Sequence, residues 1–147
     1  MDGYKNILVA ADFSEVGENA VKVADTLADR FGASLTILHV IEHFPEDQPV
    51  GVIPPEDADP QKFLTDRARS YLEKLSVRIG RPSAVLEVVV STRSANREIV
   101  QYAQGQGIDL IVVGSHGKHG IQGILGSTAT SVMHAASVDV LVVHPTE

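Results

Sequence analysis

Glycine falls at every third position from Gly114 to Gly126, five times in thirteen residues, within Gly114-Ser115-His116-Gly117-Lys118-His119-Gly120-Ile121-Gln122-Gly123-Ile124-Leu125-Gly126-Ser127-Thr128. Each glycine in a helix interior costs about 1 kcal/mol relative to alanine, so this density predicts a loop. Without Cβ atoms the chain can turn tightly and let a ligand approach its amides. Ser127 and Thr128 then open the next helix, where hydroxyls stand beside N–H groups that no helical carbonyl reaches. Phosphate oxygens are the natural guest of such a segment. Lys118 adds a movable positive charge, and Ser115 and His116 add polar side chains at the loop's entrance. The chain has no Gly-x4-Gly-Lys-Ser/Thr stretch and no assignable catalytic base. Phosphoryl transfer needs in-line positioning and usually a residue that orients the nucleophile, so binding is expected, with slow ATP hydrolysis at most.

His116 with His119, and His39 with His43, are two close histidine pairs. Catalytic zinc normally takes three protein ligands, and there is no cysteine to complete either pair, so no metal site is expected.

These residues must be positioned by the elements around them. Five apolar runs, Ile7 to Ala11, Leu35 to Val40, Val85 to Val90, Leu110 to Val113 and Val138 to Val143, are rich in Val, Ile and Leu. Most do not alternate with polar residues, which is the pattern of strands buried on both faces of a parallel sheet. Helical stripes fill the gaps. Ala20, Val23, Ala24, Leu27 and Phe31 form one, with Ser14 as its cap and Gly32 as its stop; Leu64, Ala68, Tyr71, Leu72, Leu75 and Ile79 form the next. Tyr71 and Phe31 sit at core spacing, whereas Lys62, Arg67 and Arg69 belong to a wet face. Ser94 can cap a third helix carrying Ile99, Val100 and Ala103, and a last helix should carry Val132, Met133 and Ala136. From Glu42 to Pro60, five of the seven prolines and six acidic residues mark a surface excursion.

Alternating strands and helices with right-handed crossovers predict a doubly wound α/β domain spanning residues 1–147: an open parallel five-stranded sheet with helices on both faces. If the strand order is 3-2-1-4-5, the ligand crevice lies beyond the carboxyl ends of strands one and four. Asp12 follows the first and Gly114 ends the fourth. Asp12 can accept hydrogen bonds from a ribose or a base there, or it can serve with Ser14 to cap the first helix.

Composition narrows the guests. The 147 residues carry 12 Lys and Arg against 19 Asp and Glu, a formal charge of -7, so nucleic acid and anionic membranes are repelled on average. The five apolar residues from Ile7 to Ala11 are too few for a signal-peptide core or a membrane span. The absence of cysteine suits a reducing cytoplasm. A soluble cytoplasmic protein is expected. The last strand, Val138 to Val143, is an apolar edge with Asp139 as its one charge, and such an edge invites association.

Ile7-Leu8-Val9-Ala10-Ala11-Asp12-Phe13-Ser14, Leu38-His39-Val40, Asp109-Leu110-Ile111-Val112-Val113-Gly114-Ser115-His116-Gly117 and Gly126-Ser127 together resemble the universal stress protein family over essentially the whole chain. In that family's nucleotide-binding branch the loop reads Gly-x2-Gly-x9-Gly-Ser/Thr. The resemblance puts phosphate contacts on Gly114, Gly117, Gly126 and Ser127, with eight rather than nine residues between Gly117 and Gly126. It sets Asp12 against the nucleoside, with Ala10 beside it, and the Val40 backbone against adenine. It implies ATP or another adenine nucleotide as cofactor, Mg²⁺ on the phosphates, a stress-response role and a homodimer formed through Val138 to Val143. The alternative is a dimeric, partner-binding module that takes no nucleotide.

Overall fold

The computed structural model of the chain describes residues 3–42, 59–116 and 125–146. Ile7, Leu8 and Val9 are fully buried because the strand that carries them, β1 (Asn6–Ala10), lies mid-sheet. One neighbour is β2 (Ser34–Glu42) and the other is β4 (Leu110–Gly114), both parallel to it. β3 (Val85–Ser91) and β5 (Asp139–Val143) form the edges, giving the order β3-β2-β1-β4-β5. The expected topology is the observed one.

Successive strand residues face opposite sides of a sheet, so each strand feeds two cores. On one side Ile7, Val9, Leu35 and Ile37 pack with Ala20, Val21 and Ala24 of α1 (Glu15–Phe31) and with Leu72 and Leu75 of α2 (Pro60–Arg78). On the other, Leu8, Leu38, Ile111 and Val113 pack with Ile99 and Ala103 of α3 (Ala95–Gly105) and with Ala129 and Val132 of α4 (Ser127–Ala135).

The helix ends follow local chemistry. Ser14 Oγ accepts from Gly17 N–H at 2.9 Å at the start of α1, and Gly32 at φ 64° ends that helix in the left-handed conformation glycine favours. Asp59 caps α2, with Pro60 opening it. Ser94 stands at the cap position of α3, yet its side chain makes no capping bond.

Two expected core residues are not in the core. Phe31 is 42% exposed, because it ends α1 at the rim of the sheet, where its ring packs edge-on against Tyr4 at 5.4 Å between centroids. Met133 is also 42% exposed, and Ala136 lies at the C-cap of a helix that stops at Ala135. Tyr71 is half-buried as expected, and Lys62, Arg67 and Arg69 are exposed. Most of the proline-rich excursion lies outside the described residues. Among the described residues no helix is long and apolar enough to cross a membrane.

Candidate functional site

A crevice of about 490 Å³ opens beyond the carboxyl ends of β1 and β4, where the crossovers diverge to opposite faces. Its walls come from three sources. The first is the turn after β1. Asp12 is exposed and lines the crevice, while its Oδ1 accepts from the Ser14 N–H at 3.1 Å and from the Ser14 hydroxyl. The helix-capping reading of Asp12 is the one these bonds show: Oδ1 braces the start of α1, and Oδ2 is the oxygen not committed to them. Gly17 makes this possible, since a Cβ there would collide with Asp12 Oδ1 and crowd Ser14 Oγ at 3.2 Å.

The second wall is β2 with the start of α3. Leu38, Val40 and Glu42 share one face of β2 and line the crevice with Ala95 and Ile99. This end is an apolar slot with one carboxylate at its mouth. Ala10 lines the crevice floor beside it.

The third wall is the start of α4. Gly126, Ser127, Thr128 and Ala129 line the crevice, and among the described residues no side chain caps this helix. Its first-turn amides have no helical carbonyl to bond, and the helix dipole favours an anion there. Gly126 N–H donates to the Ser115 carbonyl at 2.6 Å, so the strand end and the helix start are tied together. Gly114 and His116 complete this side. Ser115 does not line the crevice. Its N–H donates to the Val143 carbonyl at 2.8 Å, and its Oγ is buried below the crevice without a hydrogen-bond partner among the described residues. Gly117 and Lys118 lie outside the described residues, as do His119 and His43, so neither histidine pair is seen whole. Among the described residues no three His, Cys, Asp or Glu gather as a metal site.

His39 is the group that sequence reasoning did not place in this site. It is 8% exposed, lines the crevice and donates from Nδ1 to the Ala11 carbonyl at 2.6 Å. Burial pushes its pKa below the ordinary 6.5, against the upward pull of the Ala11 carbonyl and of Asp12. The unfolded chain therefore binds a proton at this position more readily than the folded one. Its contribution to stability is intact above about pH 6.5 and falls as the pH drops below that value. Urea midpoints at pH 7.5 and pH 5 are expected to differ less in a His39→Phe variant than in the parent; equal differences would remove His39 from the acid response. An imidazole between Leu38 and Val40, in a stretch whose neighbours are mostly apolar, was the available signal for His39. For Glu42 it was the two-residue step from Leu38 through Val40.

The match to known proteins is close to full length. The model of the universal stress protein family matches residues 3–144. The chain belongs to the universal stress protein family. Universal stress protein A homolog 2 of Coxiella burnetii is 34% identical over 145 residues, covering 97% of each chain. Among solved structures, that of MJ0577 of Methanocaldococcus jannaschii superposes with a TM-score of 0.76 at 27% identity over 98% of each chain. A universal stress protein solved in complex with cAMP shares the fold, with a TM-score of 0.69 at 24% identity over 97% of this chain and 98% of that one.

Proposed function

We propose that this universal stress protein is a regulatory domain that binds ATP or another adenine nucleotide in the crevice, with phosphates on the start of α4 and the base in the β2 slot. The observation that carries the reading is the α4 N-terminus, Gly126 to Ala129, opening on a glycine cap and facing one cavity with Asp12 and the apolar Leu38 and Val40. Anionic and apolar ligand parts each find a matching wall, and Asp12 lies on the turn after β1, in the same cavity, where a ribose would sit. The cAMP complex of a family member supports adenine as the base. Asp12 and the Ser127 and Thr128 hydroxyls are the oxygen donors available to Mg²⁺ held on the phosphates, and Mg²⁺ takes such oxygen ligands while keeping several waters. A cytoplasmic setting fits a chain without cysteine.

Calorimetry with Mg-ATP tests the reading directly. Saturable heat is expected, or adenine nucleotide released from protein denatured as purified. Neither result at high protein concentration would end the proposal.

A homodimer through β5 is part of the same reading. Val138, Val140 and Val142 are half-buried and Leu141 is 36% exposed along an edge whose backbone has β4 on one side only. An apolar edge of this kind is stabilised by a second copy. Sedimentation is expected to give a dimer at micromolar concentration and a monomer for Leu141→Lys; a monomeric parent chain would refute it.

A further inference from the structure

We propose that His39 is a positioning residue for this site: it holds the turn on both sides of Asp12 so that the carboxylate faces the ribose of a bound nucleotide. The inference rests on the nucleotide reading above. Ala11 precedes Asp12, and its carbonyl accepts from His39 Nδ1 at 2.6 Å. A carbonyl only accepts, so Nδ1 carries the proton and the imidazole's tautomer is set by that bond. Phe13 follows Asp12, and its ring stacks on the same imidazole, 4.2 Å between centroids and 17° between planes.

Phe13 needs such support. Its φ of 69° is the only positive value among the non-glycine residues described. A left-handed backbone is unfavourable for an L-residue and persists only where surrounding contacts hold it. The other edge of Phe13 meets Tyr71 of α2 at 4.3 Å and 76°, and the Tyr71 hydroxyl donates to Glu18 Oε1 at 3.1 Å. Burial there, with the Glu18 carboxylate beside it, pushes the Tyr71 phenol far above its ordinary value, so it stays a donor. One imidazole thus fixes the residue before Asp12 and the residue after it. Among the described residues, the hydrogen bonds of the Asp12 side chain go to Ser14 alone. A leucine would fill the same buried space without bringing a polar ring into the core; it would not hold the Ala11 carbonyl.

The two halves of the role separate by substitution. His39→Asn keeps a donor near the position of Nδ1 and loses the stack, whereas His39→Phe keeps a stacking ring and loses the donor. The readout is the ratio of Kd for 2′,3′-dideoxyATP to Kd for ATP, because only the ribose hydroxyls separate the two ligands. The parent protein is expected to favour ATP by about tenfold, as one hydrogen bond to a charged group commonly allows. His39→Phe is expected to bring the ratio below about threefold while dideoxyATP binding changes little, and His39→Asn to retain most of the preference. Should His39→Phe fail to fold, His39→Leu fills the same buried space without a donor for the Ala11 carbonyl, and the ratio is expected to fall there as well. A folded His39→Phe protein with the parent's ratio, or one that loses both ligands equally, would overturn the inference. A parent protein that binds both nucleotides equally would overturn it too, leaving nucleotide binding intact. A parent that binds neither would strike the nucleotide reading itself.

Discussion

Replacing Gly126 by valine is expected to weaken Mg-ATP binding by at least about a hundredfold in calorimetry, equivalent to losing two charge-assisted hydrogen bonds of about 1.5 kcal/mol each. The cause is contact, not backbone strain: φ of -67° and ψ of 159° are open to any residue. A Cβ on Gly126 would stand 2.9 Å from His116 Cα and 3.2 Å from the Ser115 carbonyl oxygen, and backbone atoms cannot rotate out of its way. The α4 start must then move from the end of β4, stretching the 2.6 Å bond from Gly126 N–H to Ser115. The amides proposed to meet the phosphates move with it, and a displacement of about 1 Å in a positioned site is costly. Overpacking at one helix end is expected to lower stability by only about 1–3 kcal/mol, so far-UV circular dichroism should keep the parent's form. Binding within about threefold of the parent would mean that this helix start does not hold the phosphates.

The parts of the protein that follow from periodicity were legible in the sequence. The near-continuous apolar runs gave a parallel sheet, Ser14 and Gly32 bounded α1, and the crossover rule put Asp12 and Gly114 at one crevice. Residues whose placement depends on tertiary geometry were not. Ser115 follows Gly114 in a glycine-rich stretch and reads as crevice wall, but its hydrogen bond to Val143 places it under β5's end. Phe31 has the spacing of a core residue, yet the core has ended where α1 does. Phe13 is a left-handed residue without the glycine or asparagine that announces one, so nothing local revealed that His39 would be drawn against the Asp12 turn. The loop's shortened spacer likewise says little alone. Its flanks are brought together by one backbone bond between Ser115 and Gly126, and that closure depends on where β4 and α4 sit.

The largest loss of stability is expected from Ile7→Ala, at about 2–5 kcal/mol in urea unfolding, as for other large-to-small changes at fully buried sites. Ile7 has no exposed surface, pairs with Leu35 on one side and Leu110 on the other, and packs under α1 and α2. Its removal leaves a cavity where three strands and a helix layer meet, and a rigid parallel sheet can close over it only in part. At about 3 °C per kcal/mol for a chain of this size, Tm should fall by roughly 10 °C. Yet Ile7 lies at the amino end of β1, three residues before Ala10, about 10 Å along the strand from the crevice floor. Below the transition its Kd for Mg-ATP should therefore stay within about twofold of the parent's. The ligand then separates the two variants, because binding to the native state alone adds about 2.7 kcal/mol at a hundred times Kd. Saturating nucleotide should recover most of the Tm lost by Ile7→Ala and leave Gly126→Val where it was. A Tm change under about 2 °C for Ile7→Ala would contradict the packing assigned to β1. Affinity falling in step with stability would show that the crevice draws its shape from the whole sheet rather than from its carboxyl end.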